Sequence, residues 1–525
     1  MTGSFPETPV PEALEGASRA SAAAAVLLPG FVGTELPDWL AARLRAGLAG
    51  VCIFGGNIES RTQLRELTGA IRRANPNALI AIDEEGGDVT RLYYDQGSPY
   101  PGNALLGRID DVAYTEFVAR IVGWELRLAG VNLNFAPDID INSNPDNPVI
   151  GVRSFGSTTE LVARHSAAWV RGLESTATAV SAKHFPGHGD TAQDSHLALP
   201  VIDLALAELR ERELVPFAAS IAAGARTIMT SHILLPQVDP TGPATFSRVL
   251  LHDVLRDELG FEGVIVSDAL DMAGASGEDG IPEAAVRAVL AGCDLLCIGT
   301  DNTDEQLAAI EAALDAAIAN GRLPEERLRD AATRNIHLVK DLAAQAATTP
   351  VPEWVTADDE PVFDLARSAG AFDVAQGTTV SSERTLVALE TVANIAIGVA
   401  PWGPGVDAHV GAADALPATT GQLVLIGKNN HRHDWVRELI DEARRTHPDV
   451  LVVDMGWPGD SREYADVATF GASRHAGQAL EAWLDNAALL ERSARVDRSA
   501  RFGDSARFED SARLEDSARL EGEVR

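Results

Sequence analysis

One stretch of the chain, residues 183–196, carries an unusual density of side chains that can move protons. It holds three histidines, two aspartates and a lysine, separated by Pro186, Gly187 and Gly189. The glycines and the proline are typical of a shaped loop. Asp194 and His196 stand two residues apart, so the carboxylate can orient an imidazole that both donates and accepts protons near neutral pH.

A second reactive candidate is Asp268, which ends the apolar run that begins at Val264. A carboxylate in such a position can act as a nucleophile. Retaining cleavage of a glycosidic bond needs this pair of groups, a nucleophile below the sugar ring and a proton donor at the leaving oxygen. A sugar-binding protein without catalysis would not need Asp268 and His196 together, and both are present.

Metal binding is the competing interpretation of the same stretch. His184 and His188 are four residues apart, but Pro186 and Gly187 lie between them. They therefore cannot share one helical face, as zinc-binding histidine pairs do. A metal-dependent hydrolase stays an alternative, and we expect no metal and no cofactor.

Short apolar runs alternate with segments of helical periodicity from about residue 21 to 345. This alternation predicts a parallel sheet covered by helices, and eight units favour a (β/α)8 TIM-like barrel. An open doubly wound sheet is disfavoured, because no Gly-x-Gly-x-x-Gly turn follows a strand. The predicted strands are Ala24–Leu28, Val51–Phe54, Leu79–Asp83, Val131–Phe135, Ala179–Lys183, Thr227–Thr230, Val264–Asp268 and Asp294–Ile298.

Polar residues stand at the carboxyl ends of five of these runs, where the active sites of barrels form. They are Asp83, Asn134, Lys183, His232 and Asp268. We expect them to converge, with His188 and His232 as hydrogen-bonded wall residues.

The remaining sequence predicts a second, smaller α/β sandwich domain. Apolar runs resume at Thr385–Leu389, Ile395–Gly398, Leu423–Ile426 and Val450–Val453. The expected organisation is a flexible segment 1–20, a catalytic barrel 21–347, a linker 348–383, an α/β domain 384–488 and a tail 489–525. From Ser493 that tail repeats a six-residue unit, so we expect it to be disordered or helical.

Composition restricts the setting and the partners. A formal net charge of -34 disfavours nucleic acids and anionic membranes. The three cysteines form no disulfide framework, and neither a signal peptide nor an apolar membrane span is visible. These features predict a cytoplasmic protein.

The motifs resemble glycoside hydrolase family 3, specifically its β-N-acetylglucosaminidase branch. Residues 183–196 are close to that branch's signature, and the remaining similarity covers most of residues 20–345. The supporting segments are 83–87, 134–137, 153–156 and 267–270. The resemblance implies a retaining exo-β-N-acetylglucosaminidase acting on chitooligosaccharide or on peptidoglycan-derived fragments during peptidoglycan turnover.

The resemblance also implies roles for individual residues. Asp268 matches the nucleophile, His196 the acid/base and Asp194 its partner. The residues matching those that hold the N-acetylglucosamine ring are Asp83, Arg91, Arg153, Lys183 and His184.

Two alternatives stay open within this resemblance. Phosphate could replace water, giving a phosphorylase, because a neutral histidine repels phosphate less than a carboxylate does. A β-glucosidase is less expected, because those relatives take a carboxylic acid from elsewhere. Asp88 departs from the family pattern, in which many members carry arginine, and this departure bears on the preference for muramyl-type fragments.

Overall fold

The computed structural model of the protein describes residues 19–191, 199–356, 359–391, 396–419 and 421–485. The predicted tail 489–525 and all but the last two residues of the predicted segment 1–20 lie outside this description. Asp194 and His196 also lie outside it.

Eight parallel strands form the first unit, in the order β1-β8-β7-β6-β5-β4-β3-β2. This arrangement confirms the predicted (β/α)8 barrel. The strands are β1 (Leu27–Pro29), β2 (Gly50–Ile53), β3 (Leu79–Ile82), β4 (Leu133–Asn134), β5 (Ala179–Phe185), β6 (Thr227–Thr230), β7 (Val264–Ser267) and β8 (Leu295–Gly299).

The barrel strands are apolar on both faces, because both faces are covered. Along β7, Val266 packs in the barrel interior with Met229 and Cys297. The intervening Ile265 packs outward, in the cluster shared with the surrounding helices. Continuous apolar runs are the expected sequence of such strands.

Helices surround the barrel and cover the second sheet. One of them, Arg61–Ala74, begins after Ser60, whose side chain accepts a hydrogen bond from the backbone N–H of Gln63. The barrel-unit α-helices are Arg19–Ala24, Asp38–Arg45, Arg61–Ala74, Asn103–Ile109, Val112–Leu128, Thr159–Glu174, Leu206–Glu211, Leu214–Ala222, Ala273–Ser276, Gly280–Ala291, Asp304–Ala319 and Glu325–Thr348. Leu365–Ala369, Asp434–Thr446 and Arg474–Asp485 follow; Val249–Glu258 is a π-helix, and Gly55–Asn57, Gly151–Arg153, Ala244–Phe246 and Asn430–Arg432 are short 3-10 turns.

The second unit is a six-stranded sheet with helices against it, in the order β11-β10-β12-β13-β14-β9. Its strands are β9 (Asp373–Val374), β10 (Arg384–Leu389), β11 (Ala408–Val410), β12 (Gln422–Gly427), β13 (Val450–Asp454) and β14 (Val467–Ala468). The pairing of β9 with β14 brings part of the predicted linker 348–383 into this sheet.

The strand predicted at Ile395–Gly398 is wrong for the residues that the structure describes. Residues 396–399 form a turn, and Gly398 has a φ of 75°, which an extended strand does not allow. The strand beside β10 is β11 instead.

The second unit packs against the barrel next to the loop that follows β3. Asp88 Oδ1 accepts a hydrogen bond of 2.7 Å from the backbone N–H of Ala472. The Ser473 hydroxyl donates to the Tyr100 carbonyl at 2.8 Å, and Arg474 Nε donates to the Gly97 carbonyl at 3.1 Å. Asp88 therefore helps to hold the two units together.

The structure also bears on the expected membrane span and on the three cysteines. Within the described ranges, no helix is both long and apolar enough to cross a bilayer. Cys52, Cys293 and Cys297 are free thiols, and all three are buried.

Candidate active site

A network of buried charges occupies the mouth of the barrel, where β3 and β5 end. Lys183 Nζ lies 2.7 Å from Asp83 Oδ1 and 2.8 Å from Glu85 Oε1. Arg153 makes two hydrogen bonds to Glu85, with Nε 2.9 Å from Oε2 and Nη2 2.8 Å from Oε1. The structure thus brings together three residues predicted to hold a sugar, through a carboxylate that the sequence prediction missed.

Asp83 differs from the other members of this network in its exposure. Its side chain is 18% exposed, whereas those of Lys183 and Glu85 are 3% exposed. Asp83 can therefore present its carboxylate to a ligand. Glu85 is buried and holds Lys183 and Arg153 in place through its ion pairs. A carboxylate of this kind can accept hydrogen bonds from sugar hydroxyls.

The charges of this network stabilise one another. Burial opposes ionisation of Glu85, but Arg153 and Lys183 hold the pKa of Glu85 well below its usual range. Burial also works against the charged form of Lys183, yet Asp83 and Glu85 raise the pKa of Lys183 overall. Glu85 and Lys183 are therefore both charged at neutral pH and can take part in charge-assisted hydrogen bonds.

His184 stands beside this network and is tied to a second buried carboxylate. Its Nδ1 lies 2.7 Å from Asp140 Oδ2. Its Nε2 lies 3.5 Å from Arg153 Nη2, so the far side of the ring is directed towards the charged network. The ring of His188 packs edge-on against His184, with 5.9 Å between the ring centroids.

His188 is a buried imidazole without a hydrogen-bond partner for either ring nitrogen among the described residues. Burial lowers the pKa of His188 to about 4, although Asp140 and Asp268 oppose the shift. His188 is therefore neutral at physiological pH. His188 follows β5 and Asp268 follows β7, so both stand at the mouth of the barrel where these parallel strands end.

We expect His188→Gln to reduce the dependence of stability on pH. The unfolded chain binds a proton on His188 near its ordinary pKa of 6.5, and the native protein only near 4. Acidification between these values therefore favours unfolding, so stability present above pH 6.5 is lost as the pH falls. Urea unfolding at pH 7 and pH 5 measures this loss, which should be smaller in His188→Gln than in the wild type.

The exposed His337 provides the control. His337→Gln should keep the wild-type difference between the two pH values. An equal difference in all three proteins would show that His188 is not held neutral in the native state.

Asp268 directly follows β7, with its backbone N–H donating to Thr230 Oγ1 at 3.3 Å. Its Oδ1 accepts a hydrogen bond of 2.8 Å from the backbone N–H of Ala269. His232 supports the same turn from β6, because its Nε2 lies 3.0 Å from the Ala269 carbonyl. His232 is thus a hydrogen-bonded residue that shapes the position of Asp268.

Arg91 contacts the second unit. Its Nη2 donates to the Ala396 carbonyl at 2.8 Å, and its Nη1 donates to the Thr90 carbonyl at 3.3 Å. Its backbone N–H donates to Glu84 Oε2 at 2.9 Å, which fixes the loop after β3. Among the described residues, Arg91 therefore bridges the two units and makes no hydrogen bond or ion pair with Asp83, Glu85 or Lys183.

The loop after β5 is anchored at His188 and Gly189. The side-chain amide of Asn147 donates to the carbonyls of His188 and Gly189, each at 3.0 Å. Gly189 passes so close to Ile141 that a Cβ atom would lie 1.6 Å from its carbonyl oxygen. The backbone of this loop is therefore held by hydrogen bonds and close packing as far as Gly189.

Asn134 has a structural role at the end of β4. Its side chain accepts from the Glu84 backbone N–H and donates to the Glu84 carbonyl, both at 2.9 Å. These two bonds fix the turn that carries Asp83 and Glu85.

Asp138, Asp140 and His184 lie close enough together to surround a cation. Asp140 already accepts three hydrogen bonds, and Arg153 Nη2 lies 3.4 Å from Asp138 Oδ2. A cation placed there would meet the positive charges of Arg153 and Lys183. The donor set therefore suits hydrogen bonding to a polar ligand better than metal coordination.

The chain matches known proteins across both of its units. A beta-hexosaminidase of Stenotrophomonas maltophilia (strain K279a) is 39% identical over 315 residues, which are 57% of this chain and 92% of that protein. A glycoside hydrolase family 3 beta-N-acetylglucosaminidase from Paenibacillus sp. str. FPU-7 superposes with a TM-score of 0.79 at 31% identity, over 90% of this chain and 97% of the other. A beta-glucoside phosphorylase, BglX, shares the fold alone, with a TM-score of 0.71 at 19% identity over 90% of this chain and 93% of that one.

The family comparison extends over more than half of the sequence. The model described as the glycosyl hydrolase family 3 N terminal domain matches residues 35–338, which comprise nearly the whole barrel. Together with the two-unit architecture, this match shows that the chain belongs to glycoside hydrolase family 3.

Proposed function

We propose that the protein is a retaining exo-β-N-acetylglucosaminidase that releases terminal N-acetylglucosamine from chitooligosaccharides or peptidoglycan-derived fragments. The observation that supports this proposal is that Asp268 follows β7 at the same mouth of the barrel at which the charged pair of Asp83 and Lys183 stands, at the ends of β3 and β5. The relatives named beta-hexosaminidase and beta-N-acetylglucosaminidase support the choice of an N-acetylated sugar.

In the proposed reaction, Asp268 attacks the anomeric carbon and forms a covalent glycosyl-enzyme ester. His196 gives a proton to the leaving oxygen in this step, and Asp194 orients its imidazole. His196 then takes a proton from water as the water attacks the ester, which frees Asp268 and releases the sugar with its original anomeric configuration.

Asp83, Arg153, Lys183 and His184 are proposed to hold the sugar ring. The exposed oxygens of Asp83 accept from hydroxyl groups, and Lys183 donates to sugar oxygens. Arg91 is proposed to limit the site on the side of the second unit, because its guanidinium bonds to the Ala396 carbonyl. A boundary on that side favours a terminal sugar over an internal one.

The proposal is tested by product analysis on an aryl β-N-acetylglucosaminide with and without inorganic phosphate. We expect free N-acetylglucosamine as the main product, at a rate that does not depend on phosphate. N-acetylglucosamine 1-phosphate as the main product would instead make the protein a phosphorylase. An aryl β-glucoside assayed in parallel should be cleaved far more slowly, and the opposite preference would place the protein among the β-glucosidases.

His196→Ala should slow cleavage most for substrates with poor leaving groups. Proton donation contributes about 10²- to 10⁴-fold when the leaving oxygen is basic, and little when it is an acidic phenol. The measurement is kcat/KM against the pKa of the leaving phenol, for the wild type and the variant. The variant should show the steeper dependence on the phenol pKa. Equal slopes for the wild type and the variant would contradict the proposed acid role of His196.

A further inference from the structure

Asp140 is a buried carboxylate to which the sequence prediction assigned no role. It follows β4 in the run from Asp138 and is 1% exposed. Its Oδ1 accepts hydrogen bonds from the backbone N–H groups of His184 and His188, at 3.2 and 2.7 Å. Its Oδ2 faces the imidazole of His184, 2.7 Å from Nδ1. Asp140 therefore holds the backbone at the end of β5 and in the turn that follows, together with one side of a ring whose other side faces Arg153.

The charge state of Asp140 suits it to accept all three hydrogen bonds. Burial opposes its ionisation, but His184 and the backbone N–H of His188 lower the pKa of Asp140 overall. An ionised carboxylate has no proton to donate. The hydrogen between Asp140 and His184 must therefore be carried by Nδ1 of the imidazole.

The opposite nitrogen of His184 has different surroundings. Nε2 lies 3.5 Å from Nη2 of Arg153, a group that can only donate hydrogen bonds. Arg153 is fixed in this place by its two bonds to Glu85. A proton on Nε2 would meet the guanidinium donor, whereas a lone pair on Nε2 is compatible with it. Both neighbours of the ring thus favour the same tautomer.

We propose that Asp140 is a positioning residue that holds His184 in the Nδ1–H tautomer, so that Nε2 accepts a hydrogen bond from a hydroxyl group of the substrate. The identity of that donor as a sugar hydroxyl rests on the proposed function. The tautomer itself follows from Asp140 and Arg153 alone. Nε2 of His184 thereby accepts from a ligand group that donates a hydrogen bond. Lys183 and Arg153 beside it instead donate to ligand groups that accept.

The tautomer is measured directly on the full chain labelled with ¹⁵N-histidine. Long-range ¹H–¹⁵N correlation spectra distinguish a protonated ring nitrogen from an unprotonated one, and His184→Gln assigns the signals by their loss. At neutral pH, we expect a protonated Nδ1 and an unprotonated Nε2 in the wild-type protein. A protonated Nε2, whether in the other tautomer or in an imidazolium, would overturn the inference. This measurement needs no substrate, so its outcome is independent of the enzymatic proposal.

Asp140→Asn supplies the kinetic test. The amide oxygen can still accept from the two backbone N–H groups, while the amide nitrogen replaces Oδ2 and donates to Nδ1 of His184. The proton then moves to Nε2, and kcat/KM should fall about 100-fold or more, as expected when an imidazole is forced into the wrong tautomer. The spectra of this variant should show the reversed pattern of protonation.

Aryl N-acetylglucosaminides that each lack one hydroxyl group separate positioning from general damage to the structure. For the analogue that lacks the hydroxyl bound by His184, the penalty of Asp140→Asn should shrink at least about tenfold, because interacting groups are not additive. The other analogues should show the full penalty. An equal penalty on every analogue would mean that Asp140 does not act through Nε2 of His184.

Discussion

Replacing Asp268 with alanine is expected to lower kcat by at least about 10⁴-fold, because Asp268 is the proposed nucleophile and binding alone cannot replace the covalent step. The substitution removes the carboxylate whose Oδ1 accepts from the Ala269 backbone N–H, but leaves the contact of the Asp268 backbone with Thr230. The turn after β7 should therefore persist. The measurement is kcat on an aryl β-N-acetylglucosaminide, with the thermal midpoint recorded alongside it.

Asp279→Ala is the matched control for this substitution. Asp279 lies eleven residues further along the same connection, and its side chain is 69% exposed. It should retain the wild-type kcat within about twofold, because surface substitutions have small effects. Residual activity of Asp268→Ala within tenfold of the wild type would exclude a nucleophilic role for Asp268.

Arg153→Met is expected to destabilise the fold by about 3 kcal/mol, because removing one partner leaves the other charges buried and uncompensated. Arg153 makes both hydrogen bonds to Glu85 and lies 3.4 Å from Asp138 Oδ2. Lys183 alone would then face Glu85 and Asp83. Sugar binding should weaken as well, because Arg153 would no longer fix the Glu85 carboxylate that holds Lys183 beside Asp83. Urea unfolding followed by circular dichroism measures the loss.

Arg322→Met is the control, since Nη2 of Arg322 donates to both carboxylate oxygens of Glu283 on the surface, each at 2.7 Å. Those side chains are 47% and 34% exposed, so solvent screens the pair. Arg322→Met should therefore lower the free energy of unfolding by less than about 1 kcal/mol. Equal losses for the two variants would mean that the buried network around Arg153 contributes no special stability.

The barrel could be predicted from the sequence because its strands are apolar on both faces. The run Val264–Asp268 was predicted and β7 spans Val264–Ser267, which places Asp268 directly at the strand end. Among the barrel strands, the predicted and observed bounds differ in kind at the first strand. The predicted run began at Ala24, but the alanine-rich residues Arg19–Ala24 form a helix, and β1 begins at Leu27. Alanine is the strongest helix former, and its apolar character alone does not indicate a strand.

The positions of Asp83 and Asp268 directly after strands could also be predicted, whereas the contacts of the groups around them could not. Glu85 joins Arg153 and Lys183 across 68 and 98 positions of the sequence, so its role depends on tertiary packing. The only signal in the sequence was its place in the polar turn directly after β3. Asp140 gave a similar signal, since it follows β4 in a run with a second aspartate. Arg91 carried no such signal in the sequence, because its contact with Ala396 requires the second unit to be in place.

Trapping the covalent intermediate tests the nucleophilic role of Asp268 most directly. The enzyme is denatured by acid during turnover of a fluorinated N-acetylglucosaminide whose ester hydrolyses slowly, and its peptides are then mapped by mass spectrometry. We expect one fluorinated N-acetylhexosaminyl adduct, on the peptide that contains Asp268, and no adduct in Asp268→Ala. An adduct on any other carboxylate, or inversion at the anomeric carbon in the first-formed product, would contradict the proposed retaining mechanism.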